Sequence, residues 1–177
     1  MAKPLVAIFL GSDSDLPVMA ETAVILEKAG VPYEFVIASA HRSISFVQQR
    51  VKELEAEGVK VFIAAAGMAA ALPGVISAET TLPVIGVPLD GSSLKGIDAL
   101  YAIVQMPGGI PVATMAIGKA GAVNAAVFAV QILALSEAKY GKWMVQHKKK
   151  LAEIIVAKSQ SLKAQGYRKY IEEMGKK

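Results

Sequence analysis

Residues Tyr33 to Val51 read YEFVIASAHRSISFVQQRV, and the fold turns on how that stretch divides. Tyr33–Ala38 is dominated by apolar, aromatic and β-branched residues, which predicts a strand. From about Ser45 to Glu57 apolar positions recur at helical spacing, which predicts a helix. Between them, Ser39-Ala40-His41-Arg42-Ser43-Ile44 sets one of two histidines beside an arginine. A strand passing through a polar turn into a helix is the repeating unit of a parallel α/β sheet.

The same grammar extends in both directions. Leu5–Leu10 predicts a strand and Leu16 to Ala29 a helix; Val61–Ala65, Val84–Val87 and Val112–Ile117 predict further strands. Asp98–Val104 reads as a short helix and Ala122–Leu135 as a long apolar one, while Gly30, Gly58 and Gly118 fall where elements stop. Strands that are apolar throughout belong to a parallel sheet covered on both faces. The expected fold is therefore α/β, a three-layer sandwich. Residues 1–135 form its α/β body, and 136–177, helical in pattern, form a C-terminal extension of that domain.

Composition narrows the function. The 177 residues are 54% hydrophobic, above the usual share of about 45–50%. Burying that surface favours oligomerisation. There is no cysteine, which removes disulfides and thiolate metal sites and fits a cytoplasmic location. With two histidines, His41 and His147, a histidine-rich metal site is not expected. The start, Met1-Ala2-Lys3-Pro4, lacks the layout of a signal peptide. Val61–Ala78 is charge-free, but Gly67 and Leu72-Pro73-Gly74 interrupt it, so a buried core is expected there and no membrane span. Residues 1–140 hold 9 Lys and Arg against 12 Asp and Glu, whereas 141–177 hold 10 against 3. In that basic tail Met144, His147, Leu151, Ile154, Ile155 and Leu162 recur at helical spacing. Lys148-Lys149-Lys150 then reads as a solvated helix face, and no nucleic-acid partner is expected.

Ligands of doubly wound sheets bind beyond the carboxyl ends of the strands. After the first strand comes Gly11-Ser12-Asp13-Ser14-Asp15, with Asp15 as the expected N-cap and Pro17 in the opening helical turn. Its backbone N–H groups and hydroxyls suit a phosphate, or serve as an ordinary cap. It matches neither the dinucleotide fingerprint nor a P-loop. Arg42 offers a fork for phosphate or carboxylate, and His41 can exchange a proton near neutral pH. After the third strand, Ala66 to Gly74 forms a small-residue loop that either lets backbone approach a ligand or packs helix on sheet. Gln105 to Pro111 precedes the fifth strand, at the other end of the sheet, as a turn or a pocket wall. One proton carrier, one arginine and two anion-suited loops fit a small phosphorylated substrate undergoing proton transfer, without metal or redox cofactor.

GSDSD with Pro17 and Met19, SAHR, AAGMAAALPG, LPVIGVPL (Leu82–Leu89) and AIVQMPGGIPVATMAIGKAGAVNAA (Ala102–Ala126) occur in that order over roughly residues 5–135. Together they resemble the PurE family of purine biosynthesis, in its mutase form. The resemblance implies a flavodoxin-like sandwich, a homo-octamer with sites at subunit boundaries, and a C-terminal helix packed on a neighbour. It implies that a carboxylate moves from the exocyclic nitrogen of N5-carboxyaminoimidazole ribonucleotide to ring carbon C4. On that resemblance His41 is the general acid and base. Ser12 and Ser14 bind the phosphate, Asp15 the ribose hydroxyls, and Arg42 clamps the phosphate. Ser39, in the same turn, also binds the substrate, and the loop carrying Gly67, Met68 and Leu72 holds the migrating carboxylate or trapped carbon dioxide.

The sequence departs from the family pattern at Ala71, where a histidine is usual, at Met68, where glycine is common, and at Ser43-Ile44, which replaces Thr-Pro. Two other readings stay open. One is a carbon dioxide-dependent carboxylase of aminoimidazole ribonucleotide or a related nucleotide. The other is a catalytically silent ribonucleotide-binding paralog.

Overall fold

The computed structural model describes residues 3–174; Met1-Ala2 and the last three residues lie outside. Five parallel strands form one sheet in the order β2-β1-β3-β4-β5. They are β1 (Val6–Leu10), β2 (Tyr33–Ile37), β3 (Val61–Ala66), β4 (Val84–Pro88) and β5 (Ala113–Thr114). Val6 pairs with Tyr33 on one side and Val61 on the other, and Phe62 pairs with Val84.

Successive side chains of a strand point to opposite faces, and here both faces are apolar. Val6, Ile8 and Leu10 enter one core, with Ile63 and Ile85 beside them. Ala7 and Phe9 enter the other, with Phe62 and Ala64. The first core is covered by α1 (Leu16–Ala29), α5 (Lys119–Leu133) and the opening turns of α6 (Ala138–Gln165). The second is covered by α2 (Ile44–Glu57), α3 (Leu72–Glu79) and α4 (Ile97–Val104). A shorter helix, α7 (Tyr167–Met174), follows α6. This is the expected three-layer flavodoxin-like α/β sandwich.

Small residues set the spacing of its first layer. Gly121, Ala122, Ala125, Ala126 and Ala129 are buried along one stripe of α5. A Cβ on Gly121 would come within 1.7 Å of the Ala116 carbonyl oxygen, so only glycine permits that approach. The buried Thr22 hydroxyl donates to the Ala122 carbonyl at 2.8 Å and ties α1 to α5.

Three expectations need correction. The fifth strand was expected over Val112–Ile117, yet only Ala113–Thr114 is a strand. Pro111 has no N–H to extend pairing at its start, and beyond it Met115 N–H still donates to the Gly86 carbonyl at 2.9 Å as the chain leaves the edge. Leu72-Pro73-Gly74, expected as an interruption, opens α3 instead, because proline in the first helical turn loses no hydrogen bond. The long apolar helix begins at Lys119, earlier than Ala122.

The C-terminal region departs from the body. Tyr140 and Met144 are buried in the first core, but every residue from Lys148 to Ala164 is exposed. Leu151, Ile154, Ile155 and Leu162 are therefore uncovered within the chain. Lys148-Lys149-Lys150 is solvated, as expected. Among the described residues no helix is long and apolar enough to cross a membrane.

Candidate active site

In this strand order the chain reverses direction of winding between β1 and β3, and the loops leaving their carboxyl ends diverge to open a crevice. A cleft of about 560 Å³ occupies that position. The loops after β1, β2, β3 and β4 all reach it.

The turn after β1 is built from its own polar groups. Residues Asp13–Asp15 form a single 3-10 turn ahead of α1. The Ser12 hydroxyl accepts from the Ser14 N–H at 3.3 Å, and the Ser12 N–H donates to Asp15 Oδ2 at 3.0 Å. Asp15 was expected to cap α1; its side chain makes no such bond and instead closes a capping box back onto Ser12. The interposed 3-10 turn moves the capping role one turn upstream. The Ser14 hydroxyl donates to the Ser12 hydroxyl at 2.9 Å, so both oxygens converge on one point of the cleft wall. Burial pushes the Asp15 carboxyl above its ordinary value of 3.8, while backbone bonds at Ser12 and Gly11 pull against that shift.

The turn after β2 carries the cation. Ser43 N–H and its hydroxyl both donate to the Ser39 carbonyl, at 2.9 and 3.1 Å, and the hydroxyl accepts from the Ser39 N–H at 2.9 Å. That closed knot fixes the backbone of Ser39–Ser43. Arg42 Nη2 donates to the Gly11 carbonyl at 3.0 Å, and its Nε to the Ser39 hydroxyl at 3.3 Å. The guanidinium is thereby aimed across from β2 to β1 while remaining exposed. His41, one residue earlier, is exposed on the same wall.

The opposite wall is neutral. Gly67, Met68, Ala69, Ala70, Ala71 and Leu72 line the cleft between β3 and α3. A Cβ on Gly67 would stand 3.6 Å from the Leu89 carbonyl oxygen, so the loop lies close against the end of β4. Every site residue expected from the sequence, namely Ser12, Ser14, Asp15, Ser39, His41, Arg42, Gly67, Met68 and Leu72, borders this one cleft. Sequence reading missed Leu89 and Gly91, which also border it. The strand-end rule applied to β4 would have found them. Gln105–Pro111 does lie elsewhere: Gly109, Ile110 and Pro111 line a second cleft at the amino ends of β4 and β5. Among the described residues no cluster of three or more histidine or acidic side chains could hold a metal.

An arginine, a histidine and paired hydroxyls stand around the switch point of a 2-1-3-4-5 sheet, which defines a flavodoxin-like protein whose cleft presents groups chemically suited to an anion and to proton exchange. The AIR carboxylase family profile matches residues 5–154, and the chain belongs to that family. It is 47% identical to the N5-carboxyaminoimidazole ribonucleotide mutase of Pyrococcus horikoshii, across 97% of this chain and 96% of that protein. It is also 47% identical to the phosphoribosylaminoimidazole carboxylase of Saccharomyces cerevisiae, but spans only 30% of that longer protein. The crystal structure of Treponema denticola PurE matches with a TM-score of 0.83 at 30% identity, covering 90% of this chain and 99% of that one.

Proposed function

We propose that this protein is an N5-carboxyaminoimidazole ribonucleotide mutase, moving the carboxylate from the exocyclic nitrogen to ring carbon C4. The observation that carries the reading is Arg42 bridging β2 to β1 at Gly11, so that an anion clamp, two hydroxyls and His41 share one cleft with a neutral loop. Near-full-length similarity to proteins named as the mutase supports it.

In this reading Arg42, Ser12 and Ser14 hold the phosphate, Asp15 the ribose hydroxyls, and Ser39 orients Arg42 through its hydroxyl. Protonated His41 delivers its proton to the carbamate nitrogen as the N–C bond breaks. Carbon dioxide is released beside the loop of Gly67, Met68 and Leu72. Carbon C4 attacks it, a C–C bond forms, and the C4 proton returns to His41. One proton carrier serves both transfers because they occur in sequence. Neither step requires a metal or a redox cofactor.

Incubation with fresh N5-carboxyaminoimidazole ribonucleotide, without ATP or added bicarbonate, tests the proposal. The C4-carboxylated product should accumulate well above the spontaneous background. A flat trace would sink the mutase reading. The equal similarity to the yeast carboxylase keeps direct carboxylation as the second reading; product from aminoimidazole ribonucleotide and carbon dioxide alone would select it. No turnover in either assay would leave a ribonucleotide-binding paralog.

The remaining proposals concern the setting of the site. The protein acts in the cytoplasm as a homo-octamer. Residues 136–177 form a helical extension of the 1–135 catalytic domain that packs on a neighbouring subunit. The uncovered Leu151, Ile154, Ile155 and Leu162 of α6 support this, since an apolar stripe of that length is normally covered. Sedimentation of the full chain and of a Leu151→Glu, Ile155→Glu variant checks it: the variant should sediment as a smaller assembly.

A further inference from the structure

The face of α6 that seals the first core continues past the edge of the body. Tyr140 and Met144 are buried in that core, and Leu151, Ile155 and Leu162 follow on the same face at helical spacing. From Leu151 to Leu162 this stripe overhangs by about 17 Å. Lys148 and Lys158 lie along it too, so the overhang is apolar and cationic together. Because α6 runs unbroken from Ala138 to Gln165, its far half cannot turn back onto its own body.

A surface of complementary character lies at the amino ends of β4 and β5. The cleft there, about 620 Å³, is lined by Leu82, Ile110, Phe128 and Ile132 and by no cationic side chain. β5 is the edge of the sheet and only two residues long, so no further strand closes that side. Leu135, just beyond α5 and 89% exposed, carries apolar surface on past Ile132. Carboxylates stand at the rim: Thr80 on the cleft wall donates to Glu55, and Glu79 adjoins Thr80. Residues 1–140 hold the acidic excess of the chain and 141–177 the basic one.

We propose that this amino-end cleft is the socket for the overhanging α6 of a second copy of the chain. Leu151 and Ile155 seat on its apolar lining, and Lys158 faces the rim of Glu55 and Glu79. This rests on the reading that the extension packs on a neighbour, and it says where the helix lands. Burial of the stripe supplies the affinity, while the lysine and the carboxylates fix the register. Helix and socket are different surfaces, so the contact is head-to-tail. Each copy gives one helix and receives another, and the series of contacts closes as a ring.

The chain holds no cysteine, so introduced thiols report the contact without background. Ile155→Cys, Thr81→Cys and the double variant are treated as full-length protein with a short bismaleimide and separated under denaturing conditions. Both positions are exposed within the chain, so the variants should fold. The double variant should give a covalent ladder reaching beyond the dimer, because each copy is bridged to two others. Each single variant should stay as single chains. A dimer from Ile155→Cys alone overturns the socket, since α6 would then pair with α6. A dimer from Thr81→Cys alone overturns it as well, since cleft would then face cleft. So does a double variant without a ladder. The Leu151→Glu, Ile155→Glu variant separates that last failure from a failure of the extension itself. If its assembly shrinks although no ladder forms, the extension packs elsewhere on a neighbour and only the socket falls. If its assembly is unchanged, the extension reading falls, and the socket with it.

Discussion

Two clefts of similar size open at opposite ends of the same sheet, about 560 Å³ beyond the carboxyl ends of the strands and about 620 Å³ at the amino ends of β4 and β5. Volume does not separate them; chemistry does. The first gathers Arg42, His41, Asp15 and the serine hydroxyls of Ser12 and Ser14, which bond only within their own exposed turn. The second is lined by Leu82, Pro83, Ile110, Phe128 and Ile132, with no titratable group. Two of its hydroxyls are already committed: Ser77 donates to the Pro111 carbonyl at 2.8 Å, and Thr80 to Glu55. Strand ends at the carboxyl side leave loops free to carry function, whereas the Ser77 and Thr80 hydroxyls at the amino side tie elements of the sandwich together.

The hardest test of that contrast is His41→Asn. Asparagine keeps a polar side chain but cannot exchange a proton. Turnover should fall about 10²- to 10⁴-fold, the usual contribution of general acid–base catalysis, with ribonucleotide binding retained by calorimetry. Loss of binding equal to the loss of turnover would instead make His41 a contact residue.

Arg42→Ala should have the next largest effect. It removes the charge and also the bridge to the Gly11 carbonyl. A charged hydrogen bond contributes about 1.5–3 kcal/mol, so KM should rise about 10- to 100-fold with a smaller change in kcat. Arg42→Lys should recover little of this, because an ammonium cannot span Gly11, Ser39 and an anion together. In the second cleft, Thr81→Ala should change kcat/KM by less than about twofold, as surface substitutions away from special features usually do. A larger change there would mean that the amino-end cleft takes part in turnover.

These contrasts were unevenly legible in the sequence. The strand-end rule led from Tyr33–Ala38 to Ser39–Arg42 and from Leu5–Leu10 to Ser12–Asp15, because local composition and topology agree at those points. Leu72-Pro73-Gly74 misled because proline and glycine read as a stop, and the same pair fits the first turn of a helix; only the packing of Leu72 and Ile76 against the second core decides between them. Asp15 misled because one extra 3-10 turn separates the serine loop from α1, and turn length is not encoded in residue type alone. The strain at Met68, whose φ is +56°, was hinted at only by the resemblance, which has glycine common at that position. Methionine gives no local signal for positive φ, which here follows from how β3 and α3 fix the two ends of the loop.

The smallest expected effect separates the clefts by pH. Asp15 is held above its ordinary 3.8 chiefly by burial, so the folded state binds its proton more tightly than the unfolded chain does. Below 3.8 both states are protonated and nothing is lost. As pH rises through 3.8 towards the raised folded value, the unfolded state releases its proton first and stability falls; above the folded value the loss is complete. Asp15→Asn removes that loss while leaving an amide oxygen to accept the Ser12 N–H. The variant should therefore melt slightly higher than wild type at pH 7 and converge with it in strong acid. The gap should be small because the carboxyl is only half-buried and solvent screens it. The second cleft has no group to titrate, so Thr81→Ala should shift the melting point by the same amount at every pH. A lower melting point for Asp15→Asn at neutral pH would mean that the bonds at Ser12 and Gly11 outweigh burial. The serine turn would then draw its stability from the charge, and that charge would be structural before it is functional.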